Sequence, residues 1–245
     1  MPRHVHPGVV VRSSGAGSVG VRGRGEEPGR AVDRGSPMTT VPAPSARSAG
    51  VFLREFVRHP VHTASCTPSS RALAEVMCAP VPADGDPVVV ELGPGTGAFT
   101  DLIAERLGGR GHHLAVELNP RLAALLQRRH PGLDVAVAPA AELPALLAER
   151  GLAGCDVVVS GLPWAAWPET TPLLTEVLAA ALHPDGALTQ FGYAWTRRAR
   201  PARRLRHRLD QVFAEVVSGP AILRNVPPAF VHTARRPRRE DVPRR

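Results

Sequence analysis

The chain has 245 residues, 43% of them hydrophobic, and a net charge of +8 at pH 7. That length holds one α/β domain of ordinary size, while 26 prolines and 23 glycines leave part of it outside any packed core. There is no apolar run of about eighteen residues to span a membrane as a helix, and Cys66, Cys78 and Cys155 are too few and scattered for a disulfide frame.

Charge is uneven along the sequence. All 30 basic residues are arginine; residues 38–196 carry 10 of them against 15 acids, and residues 197–245 carry 14 against 4. A mildly acidic core followed by a strongly basic end suits a phosphate-bearing partner, either nucleic acid or an anionic membrane surface. The same end also fits a solvated tail with no partner. The ten histidines show no metal-ligand spacing, so no metal site is expected. A reducing, cytoplasmic compartment follows from the cysteine usage.

Residues 1–45 are expected to form a disordered extension, since the first 37 are rich in Gly, Pro, Arg and Ser without apolar period. Met38 is a candidate translation start. Residues 46–80 read as amphipathic helical segments. In Val51–Arg58, Phe52, Leu53, Phe56 and Val57 gather on one side and Arg54, Glu55 and Arg58 on the other. Such a helix suits a membrane interface or a lid over a pocket. Thr67 is the expected N-cap of a helix over Arg71–Met77, with Pro68 in its first turn.

Val88–Thr100, V-V-V-E-L-G-P-G-T-G-A-F-T, organises the rest. Three valines predict a buried strand, the glycines a tight turn, and Phe99, Leu102, Ile103 and Leu107 a helix. Strand then alternates with helix, the pattern of a parallel sheet. Strands are expected at 114–117, 133–137, 156–160 and 187–193, and helices at 120–129, 141–149 and 170–182. His183–Gly186 is expected to turn the chain before the fifth strand. Segments 212–217 and 230–233 are expected to close the sheet, which ends near residue 235 ahead of a basic tail at 236–245.

The glycine loop is a nucleotide-cofactor site, and two cofactor classes fit it. Gly93-x-Gly95-x-x-Ala98 satisfies the dinucleotide fingerprint, with Glu117 placed as the ribose-binding acid. Glu91, directly ahead of the glycines, is awkward beside a pyrophosphate but useful beside a cationic amino acid moiety. The fourth strand runs into Ser160-Gly-Leu-Pro-Trp164, and the fifth ends in Gln190-Phe-Gly-Tyr-Ala-Trp195. Trp164, Trp167, Trp195 and the sole tyrosine, Tyr193, therefore cluster in sequence. Two readings stand: an aromatic cleft that attracts alkylated ammonium, or tryptophans that cap the following helix.

The E-x-G-x-G-x-G order with Val-Glu-Leu-Asn-Pro after the next strand resembles class I S-adenosylmethionine-dependent methyltransferases. That resemblance implies a Rossmann-like α/β fold, a seven-stranded mostly parallel sheet with helices on both faces. It implies S-adenosylmethionine held by Glu91, Gly93, Pro94, Gly95, Thr96, Gly97, Glu117, Leu118 and Ala141. F-L-R-E-F-V-R-H-P, E-L-G-P-G-T-G-A-F-T, S-G-L-P, Q-F-G-Y and R-N-V-P-P-A-F-V, in that order over about residues 51–235, look like bacterial phospholipid N-methyltransferases. The resemblance then implies methylation of phosphatidylethanolamine, or a related aminophospholipid, by an enzyme peripherally bound to the inner face of the cell membrane. Gly161, Leu162, Pro163 and Tyr193 take the catalytic positions, and Trp164, Arg197 and Arg198 the substrate positions.

Ribosomal RNA adenine dimethylases resemble the chain around the glycine loop. Adenine methylases, however, place Asn or Asp where Gly161 stands. A small-molecule methyltransferase and a cofactor-poor, non-enzymatic remnant are the further alternatives. The family often carries Gly-Asp-Ala after the third strand, with the acid near the adenine. Pro139-Ala140-Ala141 lacks that acid here, leaving Glu142 as its substitute.

Overall fold

A computed structural model describes residues 69–164 and 173–239. The chain runs through α1 (Arg71–Met77), β1 (Val88–Leu92), α2 (Thr100–Leu107), β2 (His112–Val116), α3 (Pro120–Arg129) and β3 (Asp134–Ala136). It continues through α4 (Leu143–Glu149), β4 (Cys155–Ser160), α5 (Leu174–Ala181), β5 (Leu182–Tyr193), α6 (Arg200–Val212), β6 (Phe213–Ser218) and β7 (Ala229–Pro237). The strands form one sheet in the order β3-β2-β1-β4-β5-β7-β6, in which β7 alone runs against its neighbours. The expected seven-stranded, mostly parallel sheet is present.

Alternation along each strand sends side chains to two cores. Val90, Leu92, Leu114, Val158 and Leu188 face α4, α5 and α6 through Leu146, Leu178 and Leu209. On the other face, Val89, Val157 and Val159 meet Leu73 and Met77 of α1 and Leu102 and Ile103 of α2. Each fully buried leucine contributes about 1.5–3 kcal/mol. α1 is thus part of this core. It is fixed by polar contacts as well: Thr189 Oγ1 donates to Met77 O at 2.8 Å, and Ser70 N donates to Asn225 Oδ1 at 2.9 Å.

One row crosses the sheet at the carboxyl ends of its parallel strands. Val116, Leu92, Ser160, Gln190, His232 and Ser218 are successive register partners, so their side chains share a face. The row is apolar on β2 and β1 and polar from β4 onward.

Three expectations need correction. Ser70, not Thr67, caps α1, its hydroxyl accepting from Leu73 N; Thr67 lies outside the described residues. His183–Gly186 does not separate helix from strand. Leu182 already pairs with Cys155 and Ala187 with Val157, so the segment bulges out of one continuous strand. The third is α6, where no helix was expected. Ala202 and Leu209 are buried with Leu205 and Val212 packed beside them, spacings of 3, 4 and 3 that make one helical stripe. The amphipathic segment at 51–58 and Trp167 lie outside the described residues.

Candidate functional site

β1 ends at Leu92 and the backbone turns through Gly93 (φ +64°), Gly95 (φ +56°) and Gly97 (φ +89°), conformations that favour glycine. Their surroundings differ. A Cβ on Gly97 would lie 3.1 Å from both Arg129 Nη1 and Leu126 Cδ1 of α3, and one on Gly93 would lie 2.8 Å from Leu162 Cδ2. A Cβ on Gly95 would meet nothing within 4 Å. The loop is clamped on both sides and opens at its middle. Pro94 O accepts from Gly97 N at 2.9 Å, and Thr96 O accepts from the Arg129 guanidinium.

Two carboxylates flank that opening. Glu91 is fully buried; its Oε2 accepts from Thr100 Oγ1 at 2.7 Å, and its Oε1 has no hydrogen-bond partner among the described residues. Leaving one oxygen of a buried carboxylate unpaired costs several kcal/mol unless a cation or donor arrives. His113 Nε2 lies 3.3 Å from Glu91 Oε2, outside hydrogen-bond geometry. This histidine points inward, with its side chain buried. The signal was present in the sequence: stepping back by twos from Glu117 puts Ala115 and His113 on the same face.

Glu117 is buried at the end of β2. Its Oε2 accepts from Gly95 N at 3.2 Å and its Oε1 from Asn119 N at 2.9 Å. Burial pushes its carboxyl above the ordinary range, against the backbone N–H groups of Asn119, Gly95 and Leu118, and the Glu91 charge adds to the rise. Leu118 is half-buried beside it. Ala141 and Glu142 sit exposed in the turn ahead of α4, so Glu142 is the acid available on that side.

The acceptor loop lies across the glycine loop. Gly161 N donates to Leu92 O at 2.8 Å, and a Cβ on Gly161 would stand 2.7 Å from Gly93 O. Leu162 O already accepts from Gln190 Nε2 and from Trp164 N, both at 3.0 Å. Both of its lone pairs are used, which leaves the Gly161 carbonyl as the acceptor this loop offers an amine. Pro163 is half-buried beyond them. Gln190 escaped notice as a site residue because its contact reaches 28 residues away. Its Nε2 also donates to Phe191 O at 2.7 Å, while its Oε1 is buried without a partner among the described residues.

The aromatic residues divide between the two faces. Trp164 is buried in the core with α4 and α5, its Nε1 donating to Ser160 Oγ at 2.8 Å. Tyr193 packs on the α1 and α2 side, edge-on to Phe191 and stacked on exposed Trp195 with centroids 6.5 Å apart. No common cleft joins Trp164 to Tyr193, because the sheet lies between them. On the Tyr193 side, Phe99, Phe191, Tyr193 and Trp195 make a run of ring contacts from buried Phe99 to exposed Trp195. Arg197 and Arg198 are both exposed, and Arg197 lies over the Phe230 ring at 5.1 Å.

No protein-family model matches the chain. Among curated proteins, it is 35% identical over 144 residues to an ornithine lipid N-methyltransferase of Singulisphaera acidiphila, covering 57% of this chain and 75% of the relative. The chain belongs to the class I S-adenosylmethionine-dependent methyltransferases. A dimethyladenosine transferase of Chaetomium thermophilum is 31% identical, over 50% of this chain but 31% of that protein. Solved structures agree on the fold. An O-methyltransferase of Thermotoga maritima superposes with a TM-score of 0.54 at 13% identity, over 76% of this chain and 73% of that one. A Burkholderia thailandensis N1-methyltransferase with bound S-adenosylhomocysteine gives 0.52 at 18%, over 81% and 93%.

S-adenosylmethionine is the methyl donor of this methyltransferase, and the site fits it. The unpartnered, buried Glu91 oxygen suits a cationic amino group, and the open side of Gly95 admits a ligand against bare backbone. Bound there, the cofactor supplies an electrophilic methyl on a sulfonium. Cys78 and Cys155 stay out of the chemistry: burial pushes both thiols up to about 12, helped by Glu91 and Asp156 respectively. Among the described residues no group of acids, histidines and cysteines could hold a metal.

Proposed function

We propose that this methyltransferase methylates the aliphatic amine of an aminolipid headgroup at a membrane surface, phosphatidylethanolamine or a related lipid. The observation that carries the reading is Gly161. A Cβ there would stand 2.7 Å from Gly93 O, so the acceptor loop offers backbone alone at this position. An adenine amine has its lone pair drawn into the ring and calls for side-chain acceptors to free it. An aliphatic amine needs only to lose a proton, be oriented and be shielded from water. The similarity to an ornithine lipid N-methyltransferase supports the same substrate class. Among the described residues no helix is long and apolar enough to cross a membrane.

In this reading the Gly161 carbonyl orients the amine, and Tyr193 at the end of β5 receives its proton or directs it away. Tyr193→Phe keeps the ring stack on Trp195 and is expected to leave cofactor binding unchanged while slowing transfer at least about tenfold. Unchanged turnover would remove Tyr193 from the mechanism. The function itself is tested with labelled S-adenosylmethionine, mixed lipid vesicles and total RNA. Label in the lipid extract is the expected result; label in the RNA alone would reverse the reading.

A further inference from the structure

Beyond the donor and acceptor loops, the polar row across the sheet ends in a cavity of about 370 Å³, lined by Arg197, Ala202, Arg203, Arg206, Ser218 and His232. Three guanidiniums face it. Arg206 Nε is shared with Asp210, at 3.0 and 2.9 Å from its two oxygens, and Arg206 Nη1 donates to Ser218 Oγ at 3.1 Å. Arg197 donates to Gly219 O at 3.2 Å and Ser218 O at 3.5 Å. The Arg203 side chain makes no hydrogen bond or ion pair among the described residues. One carboxylate against three arginines leaves the cavity cationic.

The remaining polar groups are linked. Arginine can only donate, so Ser218 Oγ accepts from Arg206 Nη1, and the same oxygen lies 2.7 Å from His232 Nδ1. Burial pushes the His232 pKa down to about 4, with the Arg206 and Arg197 charges adding and Asp210 opposing. The imidazole is therefore neutral near pH 7, and the positive charge belongs to the arginines.

Position connects this cavity to methyl transfer. His232 is the register partner of Gln190, and Gln190 holds the acceptor loop through Leu162 O. Neighbouring strands lie about 4.8 Å apart, so His232 stands one strand spacing from Gln190 and two from Ser160, where the acceptor loop begins. Four bonds of about 1.5 Å separate nitrogen from phosphorus in an ethanolamine phosphate, a reach of roughly 5 Å, and an ornithine side chain sets its amine slightly farther from its carboxylate. Resting on the lipid reading above, we propose that the Arg197–Arg203–Arg206 cavity, with Ser218 and His232, is the subsite for the headgroup oxyanion of the lipid acceptor. Binding the anion on β6, β7 and α6 would set the amine one strand away, over Gln190 and beside the acceptor loop that Gln190 holds. The enzyme would thereby prefer an amine that carries an anion at this distance over a bare amine.

The test uses the full chain with S-adenosylmethionine and three acceptors: vesicles containing phosphatidylethanolamine, vesicles containing ornithine lipid, and free ethanolamine. Arg203→Gln removes the one cavity arginine without a described partner, so folding should survive; Arg128→Gln, exposed on α3, is the charge-matched control. Arg203→Gln is expected to raise KM about tenfold for whichever lipid supplies the anion, with ethanolamine turnover and the control unaffected. The two vesicle arms distinguish phosphate from carboxylate. Inorganic phosphate should raise the His232 pKa, followed by NMR, in wild type but not in Arg203→Gln. Lipid methylation that Arg203→Gln leaves unchanged, or slows equally on ethanolamine, would overturn the subsite alone. Methyl groups in RNA and in no lipid would overturn the functional reading and the subsite with it.

Discussion

Gly95→Asp is expected to lower S-adenosylmethionine affinity at least about a hundredfold, a loss near 3 kcal/mol, while the protein stays folded. The two halves of that expectation have separate causes. Nothing lies within 4 Å of the new Cβ, so no packed atom has to move. Its φ of +56° is one that aspartate tolerates better than most residues; a strain of about 1 kcal/mol would shift Tm by only a few degrees. Binding suffers because the carboxylate fills the one open side of the loop. It also arrives beside Glu117, which Gly95 N already contacts and whose carboxyl burial has already raised. Calorimetric titration with the cofactor, alongside a melting curve, reads both. Near-normal affinity would mean that the cofactor lies elsewhere.

Gly161→Ala is the second large effect, and it separates sterics from backbone freedom. Gly161 is absent from the positive-φ residues, so alanine meets no conformational penalty there. Its methyl, however, would sit 2.7 Å from Gly93 O and 3.4 Å from Leu92 O, which are backbone atoms with no rotamer to change. The acceptor loop must lift off the glycine loop, at an overpacking cost of about 1–3 kcal/mol. Because the amine and the methyl are positioned by these two loops, a displacement approaching 1 Å is expected to reduce kcat about a hundredfold. Single-turnover assays with lipid vesicles measure this directly. Wild-type turnover would show that acceptor and donor are not held by this contact.

The glycine loop was legible in the sequence because glycine itself reports on backbone shape: a left-handed φ at three nearby positions leaves few other choices. Glu91 and Glu117 were legible for a related reason, standing at strand ends on either side of it. Through-space contacts were not. Gln190 reaches Leu162 O, and His113 reaches Glu91, through pairings that only the assembled sheet creates. Trp164 and Tyr193 looked like partners because both lie at the ends of neighbouring strands, but Trp164 packs into the core on one face of the sheet and Tyr193 against the core on the other. In α6 the apolar stripe of Ala202, Leu205, Leu209 and Val212 was hidden by the surrounding arginines. Charge dominates the look of such a segment, although burial decides its conformation.

The attachment of α1 has a kinetic consequence. Ser70 is held by Asn225, 155 residues later, and the carbonyl of Met77 by Thr189, 112 residues later. A helix translated near the beginning thus waits for partners translated near the end. During synthesis its apolar side, Leu73, Ala74 and Met77, is seated only in part until Ala229 and Val231 of β7 emerge from the ribosome. Truncation after β5 should therefore expose two cores at once, although every truncated residue lies far along the chain from that helix.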